Sequence, residues 1–235
     1  DEEIKHMMSV EDEMRLFYEK KYEKKLEQGT VTIGVSEIAL HLLLLPVLGE
    51  FRRKYPKIRL RISSYTAPQA IQTVRNGLSD FAVASTPAEV KKPLKATPLL
   101  SFKEILVANV AYKDIFKEPV SLKNLVEYPF ICLGKNTSTY DFYTRFFLEH
   151  GIAMTADTEA ATIDQILPMV RQNLGIGFIP EPLAQEVIEQ GIVIQVPLLE
   201  EPPVREICFV EDKSSPHSMA ANVLKEMLFQ AGEKE

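Results

Sequence analysis

Met169-Val170-Arg171-Gln172-Asn173-Leu174-Gly175-Ile176-Gly177-Phe178-Ile179-Pro180 reads as a helix end, a tight turn, a short buried strand and an abrupt stop. Helix formers lead in, and Asn173 or Gly175 can adopt the positive φ that ends a helix. Ile176, Phe178 and Ile179 are apolar, and Pro180 cannot donate to a sheet ladder. A similar run occurs earlier as Val74-Arg75-Asn76-Gly77-Leu78-Ser79-Asp80-Phe81-Ala82-Val83-Ala84-Ser85. Both have Val-Arg, two turn-forming residues, Leu and a small residue before an apolar strand. The repetition predicts two related α/β units, with function where their strands end.

The segments around each run fill out the units. Thr30 to Val35 alternates and is β-branched, which predicts a strand. Ser36 follows, then a helix is expected through Leu42 to Lys54, stopped by Tyr55-Pro56. Ile58-Arg59-Leu60-Arg61-Ile62 has strand period, Ala67 to Asn76 has helical spacing, and Phe81 to Ala84 is a third strand. Residues 30–85 therefore predict βαβαβ, a parallel sheet with helices on both faces. Strands are expected at Leu94–Leu100 and Lys103–Val110, and residues 112–128 are irregular. The pattern restarts at Phe130–Leu133. It continues with a helix at Tyr140–Glu149, a strand at Met154–Glu159, a helix capped by Thr162 or Asp164, and a strand at Ile176–Ile179. A helix at Leu183–Glu189, strands at Ile192–Val196 and Arg205–Val210, and a last helix at Ser218–Gln230 complete it. The chain leaves the first unit near Lys103 and returns near Arg205, which predicts a hinged cleft between two lobes.

The 235 residues are 46% hydrophobic and 26% charged, enough for a sizeable core without a metal or disulfide. A formal charge of −6 and a pI of about 5.4 do not attract nucleic acid by bulk electrostatics. Cys132 and Cys208 sit in apolar runs and read as buried free thiols of a reducing compartment, although a bridge between them stays open. The apolar run Leu42–Leu48 is too short to span a membrane, and no secretory segment opens the chain, so a cytoplasmic location is expected. Residues 1–7 read as a tag remnant. Residues 8–28 carry an apolar stripe (Val10, Met14, Tyr18, Tyr22, Leu26) and predict an amphipathic helix that packs on the body, forms a dimer seam or stays solvated.

Each unit has a strand followed by small hydroxyl residues and a helix: Val35-Ser36 in the first, Gly134-Lys135-Asn136-Thr137-Ser138 in the second. Helix N-termini carry unpaired N–H groups that favour an anion, and Ser or Thr hydroxyls add donors. Taken singly these residues are N-caps; their matched positions in facing halves point to a ligand site. Ser64-Tyr65-Thr66 and Ser85-Thr86 end strands of the first unit, Phe178 and Pro180 border the second, and Glu159 and Thr162 lie at another junction. Gly175-x-Gly177 is not a nucleotide motif, because no phosphate-cradling helix follows it. His41, His150 and His217 are scattered, no metal-ligand spacing or nucleophile elbow occurs, and no enzymatic chemistry, cofactor or metal is expected.

Gly29–Gly34 before Ser36, Leu45-Pro46, Phe51, Tyr55-Pro56, Gly77–Val83 and Val170–Pro180 together resemble the effector-binding domain of LysR-type transcriptional regulators. The resemblance runs from about residue 20 to the C-terminus. It implies an α/β fold of two Rossmann-like subdomains with a central cleft, similar to a type 2 periplasmic binding protein and joined by two crossover strands. Expected boundaries are 29–108 and 206–235 for subdomain I and 109–205 for subdomain II, with residues 8–28 as the linker helix and the winged helix-turn-helix absent. It implies a small-molecule effector, a small organic acid or amino-acid-like molecule, held by Ser36, Tyr65, Thr66, Ser85, Asn136, Thr137, Ser138 and Phe178. No arginine stands in the expected cleft. Partners would be a second copy in a homodimer or homotetramer, and promoter DNA only through the missing N-terminal domain, with no membrane. The alternative is a transporter's solute-binding protein of the same fold.

Overall fold

The computed structural model describes residues 28–233. The expected segments 1–7 and 8–28 lie outside the described residues, Gln28 excepted. In the first strand, β1 (Thr30–Ser36), Val31, Ile33 and Val35 are fully buried, as β-branched alternation requires. Helix Glu37–Ala39, a π-helical stretch Leu40–Leu44 and helix Leu45–Lys54 run on as one rod, α1 (residues 37–54). The rod starts at Glu37, directly after Ser36. Pro46 is accommodated in the first turn after the π-helical stretch, where the wider turn has already interrupted the regular ladder.

Then come β2 (Arg59–Tyr65), α2 (Ala67–Arg75), β3 (Phe81–Ser85), β4 (Leu94–Phe102) and β5 (Glu104–Asn109). A short α3 (Leu122–Leu125) lies in the stretch expected to be irregular. The second half follows as β6 (Phe130–Leu133), α4 (Ser138–Glu149), β7 (Thr158–Ala160), α5 (Ile163–Arg171), β8 (Ile176–Pro180), α6 (Glu181–Glu189) and β9 (Val193–Val196). β10 (Arg205–Asp212) and α7 (Met219–Gly232) close the described chain.

The strands form two five-stranded sheets, in the orders β2-β1-β3-β10-β4 and β7-β6-β8-β5-β9. β1 is parallel to β2 and β3, and β6 is parallel to β7 and β8. In each sheet the fourth strand is antiparallel and is one of the two crossovers: β10 beside β3, β5 beside β8. The two sheets thus have one design, here called lobe I and lobe II. Because β5 is hydrogen-bonded in the second sheet, the passage between lobes falls at Lys103 instead of after residue 108. Two β-rich runs separated by a single residue read as one stretch in sequence, and the switch of sheet is invisible there.

The two repeated turns are the same device. Gly77 N–H donates to Val74 and Leu78 N–H to Thr73; Asn173 N–H donates to Val170 and Leu174 N–H to Met169. This is the paired bonding of a Schellman cap, with Gly77 at φ 67° and Asn173 at φ 60° in the left-handed position. Asn173, and not Gly175, therefore ends the helix. Gly175 answers a different need: a Cβ there would lie 2.4 Å from the Pro129 carbonyl oxygen.

The largest core cluster joins the lobes. It runs from Val31, Ile33, Phe81 and Phe209 through α1 and α7 to Ile131, Ile163, Ile166, Val170 and Ile179 of lobe II. Each lobe also has a private core on its other face. In lobe I this is Ala67, Ala70, Ile71, Val74, Ala82, Ala84, Leu94 and Val210 under α2. In lobe II it centres on Phe130, Tyr143, Phe146, Phe147 and Phe178 under α4. Cys132 and Cys208 are buried free thiols in different sheets, with pKa values pushed by burial up to about 12 and about 11.

Candidate functional site

Parallel strands deliver the start of the following helix to one end of a sheet, and here those ends from both lobes face each other. Between them lies a cavity of about 280 Å³. Six of the expected residues line it: Ser36, Tyr65, Thr66 and Ser85 from lobe I, Thr137 and Ser138 from lobe II. Four lining residues are N-caps, Ser36 of α1, Thr66 of α2, Thr137 of α4 and Thr162 of α5, so four helix N-termini converge on one space. Their N–H groups and dipoles make the space favourable to negative charge.

The hydroxyls are set by local bonds. Ser36 Oγ accepts the Ser85 amide at 2.9 Å and lies 3.2 Å from Ser85 Oγ, tying the ends of β1 and β3 together. It is turned away from its own helix, so the α1 N-terminus has no side-chain cap. Gln69 Oε1 accepts from both the amide and the hydroxyl of Thr66. Thr137 Oγ1 accepts from Tyr140 N–H at 3.1 Å and donates to the Gly134 carbonyl at 2.9 Å, fixing the loop before α4.

Two expected residues stand elsewhere. Asn136 is exposed on that loop and is not part of the cavity wall. Phe178 is buried in the private core of lobe II, its ring stacked on Tyr143 with centroids 4.8 Å apart at 20°. Alternation along β8 explains this: Ile176 and Phe178 face the aromatic cluster under α4, while Ile179 faces the shared core.

The cavity also has wall residues outside the expected set, among them Glu37, Gln69 and Thr139. Glu37 follows Ser36 directly and reaches across the cleft, where its Oε2 accepts the Ile163 amide of α5 at 2.8 Å. Thr162, the N-cap of α5, makes no side-chain cap of its own. Next to this bridge, His41 Nε2 lies 2.9 Å from Asp164 Oδ1, again one lobe against the other. Burial pushes the Glu37 pKa up, the Ile163 amide opposes that, Asp164 adds to it and His41 subtracts.

Thr139 leads to the hinge. Its Oγ1 accepts from Arg205 Nη2 at 3.2 Å. Arg205, the first residue of β10, is 1% exposed; it also bonds Glu104 Oε1, at the start of β5, and the Thr86 carbonyl. Its guanidinium lies over the rings of Phe142 and Phe102. Both crossovers are therefore pinned together by one buried ion pair just behind the cavity. Burial drives the Glu104 pKa up against the pull of Arg205 and of the nearby Tyr143 phenol, although neither Glu104 Oε2 nor the Tyr143 hydroxyl makes a hydrogen bond of normal geometry. This arginine therefore stands behind the cavity wall and not in it.

Comparison with known proteins agrees with this architecture. The LysR substrate binding domain family matches residues 24–233. A probable RuBisCO transcriptional regulator of Cyanophora paradoxa is 22% identical over 208 residues, covering 86% of this chain and 64% of the relative. The HTH-type transcriptional regulator CysB of Burkholderia cenocepacia is 24% identical over 155 residues, covering 66% of this chain and 50% of the relative. The chain thus spans between half and just under two thirds of these two relatives. Among solved structures, the regulatory domain of Synechocystis PCC6803 CcmR in complex with 2-PG superposes with a TM-score of 0.78 at 19% identity, covering 88% of this chain and 98% of that one. The effector binding domain of QuiR in complex with shikimate gives 0.73 at 15% identity, covering 88% and 99%.

Proposed function

Since the chain belongs to the LysR substrate-binding-domain family, we propose that it is the ligand-sensing part of a transcriptional regulator and holds a small anionic effector between its lobes. The observation that carries this reading is the convergence of four helix N-termini and a set of hydroxyls on one inter-lobe cavity of about 280 Å³. That lining binds and orients an acid. It offers backbone amides and hydroxyls from both lobes as hydrogen-bonding groups. The ligand in the QuiR structure, shikimate, supports the choice of a small acidic effector.

The mechanism follows from the two crossovers. A ligand that bonds Ser36 or Thr66 on one side and Thr137 or Ser138 on the other stabilises one inter-lobe angle by its difference in affinity for the two arrangements. The Glu104–Arg205 hinge transmits that angle to both sheets. In the full regulator, a changed angle alters a homodimer or homotetramer in the cytoplasm, and promoter DNA is met through a separate N-terminal domain. Thermal-shift screening against small organic acids is the test, because a ligand of the folded state raises stability by mass action. Thr137→Ala and Ser36→Ala should each weaken a hit about tenfold, because each removes a hydroxyl whose bonds order the strand end or loop at the cavity. Full response in both variants would remove the cavity from the proposal.

A further inference from the structure

The four helix N-termini at the cavity are not equivalent. That of α5 already has an anion, the Glu37 carboxylate, delivered from the opposite lobe at 2.8 Å. The same corner holds Asp164, in the first turn of α5, and His41, paired with each other. The N-terminus of α1 lacks a side-chain cap, and that of α4 is capped by the neutral Thr137 hydroxyl, with Asp141 in its first turn; neither receives a carboxylate from the opposite lobe among the described residues. The cavity is therefore two-ended: helix N-termini without a cross-lobe carboxylate toward Ser36 and Thr137, and a seated Glu37 carboxylate toward Ile163.

We infer that Glu37 determines ligand charge, admitting a monoanion whose far end is neutral or cationic, as in a hydroxy acid or an amino acid, and rejecting a second anionic group. This rests on the cavity being the effector site. The acid end of the ligand is met by amides and hydroxyls. A second carboxylate or a phosphate directed at α5 would have to displace Glu37 from the Ile163 amide or sit against it. Like charges within a few ångströms in a partly dry cleft repel by more than a hydrogen bond returns. A hydroxyl or ammonium at that end instead donates to Glu37. The chain separation of 126 residues between Glu37 and Ile163 makes this a property of the closed lobes and not of either lobe alone.

Succinate and succinamate test it, since they have the same shape and differ by one negative charge. Both are titrated into the wild-type chain and Glu37→Gln, with the amide resonances of Thr137 and Ile163 followed by NMR. Gln keeps an oxygen that accepts the Ile163 N–H, so a merely structural cap survives and only the charge is lost. The wild-type chain should favour succinamate by about tenfold or more, and Glu37→Gln should bring the ratio to about one. If both probes shift the cavity resonances but the ratio is the same in both proteins, Glu37 does not select charge, and the cavity reading survives alone. If Glu37→Gln shows no succinate-induced shift, the inference also falls, because removing the charge has failed to admit a dianion. In that case the broader reading stands or falls separately on the metabolite screen.

Discussion

Lobe I and lobe II share a strand order, and α2 and α5 end in the same Schellman turn, yet the private cores of the lobes are made of opposite materials. In lobe I, α2 sets its own Ala67 and Ala70 on Ala82 and Ala84 and against Gly34, where a Cβ would meet Thr73 Oγ1 at 2.5 Å and the Ala70 carbonyl at 2.9 Å. In lobe II, α4 sets its own Tyr143, Phe146 and Phe147 on the rings of Phe130 and Phe178. Small residues let a helix approach a sheet until backbone meets backbone. Rings hold it off and fill the gap. Both solutions put a helix N-terminus at the cleft, Thr66 from one side and Thr137 from the other. The lesson is that the position of a cap, and not the manner of supporting it, is common to the two lobes. One lobe should then fail when enlarged and the other when emptied.

The largest effect should come from emptying the ring cluster. Phe178→Ala removes the residue stacked on Tyr143 and touching most of the others, with an expected loss of about 3–5 kcal/mol, read from urea denaturation midpoints. A loss below about 1 kcal/mol would mean that lobe II does not depend on its rings. Overfilling should come next. Gly34→Ala in the alanine face should cost about 1–3 kcal/mol, and a neutral result would show that α2 has room to rise. The shared turn sharpens the comparison. Gly77→Ala places a Cβ in the left-handed region and should cost about 1–2 kcal/mol, whereas Asn173→Gly should change stability by less than about 0.5 kcal/mol; equal losses would contradict their equivalence.

The smallest effect is on pH. In lobe I, burial opposes the charge of Glu211, but bonds from Lys225 and His217 outweigh it and hold its pKa below the ordinary 4.5. A carboxyl depressed in the folded state contributes stability that is present above 4.5 and lost as pH falls through its folded value. Glu200 in lobe II behaves likewise: burial raises it, and the Leu122 amide and Ser121 hydroxyl lower it further than that. Acid titration of stability should flatten more in Glu211→Gln than in Glu200→Gln, because the former loses two basic partners.

Much of this was legible along the chain because the signals are local. Alternation at Thr30–Val35, the paired Val-Arg turns and the hydroxyls before helices all act within a few residues, and they led to the two lobes and to six cavity residues. What was not legible depends on distant pairing. Glu37 meets Ile163 and Arg205 meets Thr139 only once the sheets face each other, and neither residue type at those positions announces a partner. Phe178 was misplaced for a simpler reason. Proximity to a strand end does not say which face a side chain takes, and the ring faces α4 and not the cleft. The boundary at Lys103 was blurred because nothing in two consecutive β-rich runs marks a change of sheet.

The exchange of crossover strands also orders events in time. All five strands of lobe II lie within residues 104–196, whereas lobe I needs β10 and α7 from the end of the described chain to finish a sheet begun at Thr30. On a ribosome, lobe II can close while lobe I still has an open edge at β3. Maturation of the cleft therefore waits on β10 and α7, and a nascent chain stopped before Arg205 holds one finished wall of the cavity and one unfinished.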